Sequence, residues 1–125
     1  MDYQFHYDHD RNTVVATIFG EWNAEGSNRA WQRSLELVRK HGATRLLTDH
    51  RQFSFRPPTL DIYERAERIV GLEEYKAIKR LAILVAENAH LPSYDFFVTV
   101  MRNRGIKVAT FVEDEAAAWN WLTQS

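Results

Sequence analysis

Cysteine is absent from the 125 residues. Its absence excludes disulfides, thiolate zinc sites and a cysteine nucleophile together, and fits a reducing compartment. Glycine is scarce. The five glycines stand singly, so no Gly-rich loop of the kind that cradles a phosphate or dinucleotide is present. No apolar run approaches the ~18 residues of a membrane span. An excess of one charge is also missing: 16 Lys and Arg against 17 Asp and Glu leave a formal net charge of -1. That balance offers no overall attraction to nucleic acid or to an anionic lipid surface. The opening Met1-Asp2-Tyr3-Gln4-Phe5-His6 is neither a basic-then-apolar signal peptide nor an anchor. What remains is ordinary for a globular chain, 45% apolar and 26% charged, and speaks against disorder. One domain over residues 1–125 is expected, burying roughly two-thirds of the surface its unfolded chain exposes. Taken together, the expectation is a soluble, cytoplasmic protein.

Periodicity then orders the chain. Tyr3 to Tyr7 alternates aromatic and polar residues, and Thr13 to Phe19 is β-branched and apolar. With turn chemistry at Asp8-His9-Asp10-Arg11-Asn12 between them, the two segments read as a strand hairpin. Asn23 is the expected N-cap of a helix to about His41, with Trp31, Leu35 and Val38 on one face and Gly42 as its left-handed stop. Arg45 to Asp49 reads as a short strand, followed by a loop from His50 to Pro58. A helix over 59–72 carries Ile62, Ala66, Ile69 and Val70 at helical spacing. Ile78 to Ala86 contains the unbroken run Leu81-Ala82-Ile83-Leu84-Val85-Ala86, the pattern of a strand covered on both faces. Pro92 suits the first turn of a helix to Arg104, with Phe96, Phe97, Val100 and Met101 inward. Ile106 to Val112 is a last strand, and Asp114 caps a last helix with Ala117, Ala118, Trp121 and Leu122 as its buried stripe. The order ββαβαβαβα predicts an α/β fold: a mixed, mostly parallel five-stranded sheet with four helices.

Several local patterns fall at telling places in that order: Gly20-Glu21-Trp22-Asn23 between second strand and first helix, Leu46-Leu47-Thr48-Asp49 closing the third strand, and Phe111-Val112-Glu113-Asp114 leading to Trp119-Asn120-Trp121-Leu122. In topology and in these stretches the chain resembles the STAS domains and SpoIIAA-like proteins, the family of anti-sigma-factor antagonists and their lipid-binding relatives. The resemblance implies a non-enzymatic domain that works by binding, either a protein partner or a small apolar ligand. It also implies a phosphorylated hydroxyl just after the third strand. Here Ser54 and Thr59 are the hydroxyls available, although the family's Asp-Ser-Gly context is missing and Arg56-Pro57-Pro58 removes two amide donors.

Each group of chemistry-bearing residues also has a simpler role open to it. His6, Asp8, His9 and Asp10 offer metal-ligand types, but they cross a turn where Asp is expected for backbone reasons, so no metal site is expected. Asp49-His50 and Glu87-Asn88-Ala89-His90 end parallel strands, where ligands collect in open α/β sheets. Asp49, His50 and His90 therefore carry the enzyme alternative, a small hydrolase-like acid–base site. No nucleophile or cofactor motif accompanies them, and the reading preferred here has no catalytic residues and no cofactor. Arg102, Arg104 and Lys107, with Lys76, Lys79 and Arg80, form two basic clusters; cations near helix C-termini suit the dipole, and no nucleic-acid partner is expected. Phe53 and Phe55 alternate with polar residues in a segment expected at the surface, where they would close an apolar cavity or form a contact patch. The expected ligand or partner surface is Phe53, Phe55, Tyr63, Phe96, Phe97 and Met101. The tryptophans Trp22, Trp31, Trp119 and Trp121 offer further apolar area for a symmetric homodimer.

Overall fold

Two strands open the chain, β1 (Asp2–Asp8) and β2 (Thr13–Glu21), paired antiparallel with Phe5 opposite Ala16. Their turn works as its residues suggest. Asp8 accepts from the Arg11 amide at 3.0 Å, and Asn12 sits in the left-handed region at φ 49° with its side chain accepting from the Tyr7 hydroxyl. The computed structural model describes residues 1–124, and the side chains of Val70 and Glu74 lie outside the described set.

Helix α1 (Ala24–His41) starts where Asn23 accepts from the Gly26 amide at 2.7 Å, and ends where Gly42 turns left-handed at φ 64°. There follow β3 (Arg45–Ser54), α2 (Thr59–Val70), the single turn α3 (Glu73–Lys76), β4 (Arg80–Val85), α4 (Leu91–Arg102), β5 (Val108–Val112) and α5 (Glu115–Leu122). Pro92 occupies the first turn of α4, and Asp114 caps α5 by accepting from the Ala117 amide at 3.0 Å. The sheet order is β1-β2-β3-β4-β5, with β2 to β5 parallel and β1 alone antiparallel. Four helices and a five-stranded mixed sheet match the expectation, and the α3 turn is additional. Strand β4 lies inside the sheet between β3 and β5. The main departure is β3. It continues through His50 to Ser54, where a loop was expected, because its backbone keeps pairing with β2 as far as Ser54 opposite Glu21.

The two faces of the sheet are covered unequally. Leu81, Ile83 and Val85 join the large core beneath α1, α2 and α4, whereas Ala82 and Leu84 face α5 with Val15 and Leu47. All five β4 residues from Leu81 to Val85 are at most 1% exposed, which accounts for the unbroken apolar run. On its side α5 works alone. Ala82 and Ala118 are both fully buried at the junction, and side chains this small let the helix approach the strands closely. The carbonyl end of α5 is held by two arginines: Arg45 Nε donates to Leu122 O at 3.0 Å and Arg80 Nη1 to Trp121 O at 2.7 Å. Cations at the C-terminus of a helix also match its dipole. Other basic residues are similarly engaged, with Arg102 donating to Val108 O and Arg104 to Val100 O and Glu67.

Two substitutions test this one-helix layer by urea unfolding. Leu122→Ala leaves a cavity and is expected to cost about 2–5 kcal/mol, while Ala82→Leu overfills the junction and costs about 1–3 kcal/mol. Val112→Ala at the exposed end of β5 should stay within about 0.5 kcal/mol.

Candidate functional site

Between β2 and β3 the register slips: Thr17 faces Asp49, but Phe19 faces Gln52. Strand β3 thus spends one more residue than β2 over the same length, a β-bulge. Side chains of a strand alternate between faces, and the extra residue resets the alternation. His50, paired with Val85, lies on the face under the helices. Phe53, paired with Gly20, lies on that same face and packs against Ala16, Ile18 and Ala30. An unbroken strand would have sent Phe53 to the α5 side with Asp49.

The result is a cluster of rings. His50 meets Phe53 edge-on at 4.9 Å between centroids, Phe55 lies 4.7 Å from Tyr94, and Phe97 approaches Phe55 at 6.2 Å. The Tyr94 hydroxyl stands 3.0 Å from His50 Nδ1, donating or accepting according to the imidazole tautomer. Burial holds Tyr94 well above the ordinary phenol range, so it stays protonated. Burial also pulls His50 down from 6.5 to about 4, and the neighbouring Asp49 charge only partly opposes this. At neutral pH the pair is an uncharged hydrogen bond.

These rings wall a half-open, mostly apolar cavity of about 70 Å³ on the face of β2, β3 and β4 that packs under α1, α2 and α4. Its floor includes Leu46, Leu81 and Ile83, and its roof is built from Ala30 and Trp31 of α1, Ile62 and Arg65 of α2, and Phe97 of α4. Phe53, Phe55 and Tyr94 have a second exposure, to an outer polar groove that Arg51, Arg56, Asn88 and His90 also line. They are the partition between the mostly apolar interior and the polar outer groove.

At its other end the cavity meets two buried donors with no partner among the described residues, Trp22 Nε1 and Arg65 Nε. The Arg65 guanidinium lies over the Trp22 ring at 5.1 Å. Leaving such a donor unpaired costs about 1–3 kcal/mol, and burial lowers the Arg65 pKa from its ordinary value. The Tyr75 hydroxyl is a third orphan, in the core beside Trp31.

Of the six expected binding residues, Phe53, Phe55 and Phe97 line the cavity. Met101 is fully buried in the main core, Phe96 packs against that core, and Tyr63 is exposed on α2 beneath the Arg104 guanidinium. Ser54 is exposed at the end of β3, where its carbonyl accepts from the Trp22 amide at 2.9 Å. Thr59 is exposed at the start of α2, behind Pro58. Asp49 and His50 point to opposite faces. Burial raises the Asp49 carboxyl, but the Arg51 bonds at 2.8 and 3.1 Å outweigh it and hold the group below the ordinary range. Arg51 extends the same network to Glu115, and His90 Nδ1 lies 2.9 Å from Ser93 Oγ. The tryptophans are also occupied within the chain: Trp31 against Tyr75, Trp119 under Arg11 and Trp121 under Arg80. Sequence reasoning missed Trp22 and Arg65 as cavity residues. The available signal was spacing, since Arg65 stands three residues after Ile62 and shares its helical face.

No protein-family profile matches the chain, and no curated protein sequence does. Among solved structures, the anti-sigma factor antagonist SpoIIAA in its unphosphorylated form superposes with a TM-score of 0.61, at 17% identity over 93% of each chain. The fold is that of SpoIIAA. In this SpoIIAA fold the cavity lies under the β3–α2 connection, between the sheet and helices α1, α2 and α4.

The neutral His50 imidazole, enclosed by Phe53, Phe55 and Tyr94, gives a pH signature. Between about pH 6.5 and pH 4 the unfolded chain binds a proton at His50 that the folded chain does not, so stability falls as pH falls. The contribution is complete above about pH 6.5. Going from about pH 7.5 to about pH 5, the His50 share of the loss should be about 2 kcal/mol. Urea unfolding across this range should show a shallower decline in His50→Gln than in the wild type.

Proposed function

We propose that the chain is a non-enzymatic binding domain whose cavity takes up a small apolar group. The observation that carries this reading is the aromatic partition of Phe53, Phe55 and Tyr94 between the cavity and the outer groove. A cavity of about 70 Å³ is roughly half the size of an engineered apolar cavity, about 150 Å³, that stays dry and takes benzene or xenon. An apolar occupant gains dispersion contacts with walls that otherwise face a void, and leaves water as it does so. Entry needs only the partition to part, and Phe53 and Phe55 sit next to the surface connection that ends β3. The acid–base alternative has less to work with. Asp49 is clasped by Arg51 away from His50, and His50 is neutral and bonded to Tyr94.

SpoIIAA is by its description an anti-sigma factor antagonist. The corresponding partner reading for this chain rests on α2, where Leu60 is 66% and Tyr63 48% exposed, three residues apart on one helical face. The cavity reading is preferred because its lining is mostly apolar and enclosed on several sides.

Xenon is the probe matched to such a cavity. In backbone amide NMR spectra under xenon pressure, shifts are expected to concentrate at Ala30, Leu46, Ile83 and Phe97. Ala30→Leu, which fills the space, should abolish them. Shifts scattered over exposed residues, or shifts unchanged by Ala30→Leu, would overturn the reading.

A further inference from the structure

Cavity polarity is uneven. Besides Trp22, Arg65 and the His50–Tyr94 pair, the polar side chains of the lining are the hydroxyls of Ser27, Ser34 and Thr48, of which Ser34 donates to the Ala30 carbonyl, and the remainder is almost entirely hydrocarbon or aromatic ring. His50 and Tyr94 satisfy each other. Trp22 and Arg65 do not: the indole N–H and the guanidinium Nε–H are both buried and both unpaired among the described residues. Arg65 makes one hydrogen bond, from Nη1 to Asn28 Oδ1, and no direct ion pair with a described residue. Asp61 and Glu64 on the same helix act on this cation through space, but neither carboxylate is hydrogen-bonded to it among the described residues, and its Nε–H stays open toward the cavity. Indole is a donor only, and guanidinium is a donor only. Whatever completes this end has to bring acceptors, and a negative charge strengthens the bonds.

Building on the cavity reading, we propose that the ligand is a short aliphatic monocarboxylate, its carboxylate accepting from Trp22 Nε1–H and Arg65 Nε–H and its chain lying against Ile62, Ile83 and Phe97. The stoichiometry selects carboxylate over phosphate. Two unpaired donors match two carboxylate oxygens, whereas a phosphate would bury further oxygens and a second charge with nothing to receive them. Size sets the chain at a few carbons, since about 70 Å³ is space for a short acyl group and not for a long one. The two donors belong to side chains that lie together, the guanidinium over the indole face. Once inside, the carboxylate draws Arg65 off the Trp22 face, while the Asn28 bond on the solvent side tethers the guanidinium nearby.

The test is an amide NMR titration of the full chain with butyrate, its neutral isostere butyramide, and inorganic phosphate. Butyrate is expected to shift cavity amides and to bind about ten-fold more tightly than butyramide, as a charge-assisted pair of hydrogen bonds would give. Arg65→Met and Trp22→Phe keep the side-chain volume and remove the donors. Each should reduce that preference to about two-fold or less with the thermal midpoint showing a folded protein. Equal binding of butyrate and butyramide at the cavity would overturn the carboxylate site and leave the apolar cavity reading standing. Phosphate outcompeting butyrate would also overturn it. No cavity shift with any of the three, together with no xenon response, would remove the cavity reading itself.

Discussion

A single additional residue in β3, opposite Ile18, decides which way the aromatic side chains of this protein face. Before it, alternation sends His50 under the helices and Asp49 toward α5. After it, alternation restarts, and Phe53 joins His50 instead of Asp49. The place of Phe53 in the cavity wall, beside the neutral His50–Tyr94 bond, and its part in separating interior from outer groove follow from that reset. On the far face Asp49 and Arg51 pair and reach Glu115 at the start of α5.

The layers differ in how they treat polar groups. On the α5 side almost every cation named above has found a partner: Arg45 and Arg80 on helix carbonyls, Arg51 between two carboxylates, Arg11 over Trp119. On the helix-covered side the orphans gather, at Trp22, Arg65 and Tyr75. Stability alone favours filling such positions with apolar residues of similar shape. Unpaired donors concentrated beside a cavity are the pattern expected where a ligand completes the structure, since buried polar groups are normally hydrogen-bonded. The hydrophobic core, by contrast, follows simple rules, with β4 closed on both faces and small alanines where α5 comes near.

Much of the architecture was legible. Asn23, Gly42, Pro92 and Asp114 mark helix ends through short-range chemistry, and that chemistry operates unchanged in the folded chain. The run from Leu81 to Ala86 announced a doubly covered strand because its residues have no polar face to offer. The second half of β3 was hidden for the opposite reason. His50-Arg51-Gln52-Phe53-Ser54 is polar enough to read as a loop, and a bulge leaves no imprint on composition. Phe53 and Phe55 stand out because a large apolar ring in a polar stretch needs an explanation, whereas Phe97 stands out only as part of the apolar face of α4. Met101 and Phe96 carry the same kind of signal but satisfy the core, and no local pattern separates the two uses. Arg65 was passed over because an arginine on a helix reads as solvent-facing until the indole beneath it is known.

The geometry of the bulge can be observed directly by nuclear Overhauser spectroscopy with labelled aromatic and methyl groups. The account requires cross-peaks from the Phe53 ring to the Ala30 and Ile18 methyls and to the His50 ring. Cross-peaks from Phe53 to Ala118 or Leu122, on the α5 face, would contradict it and dissolve the cavity wall with it.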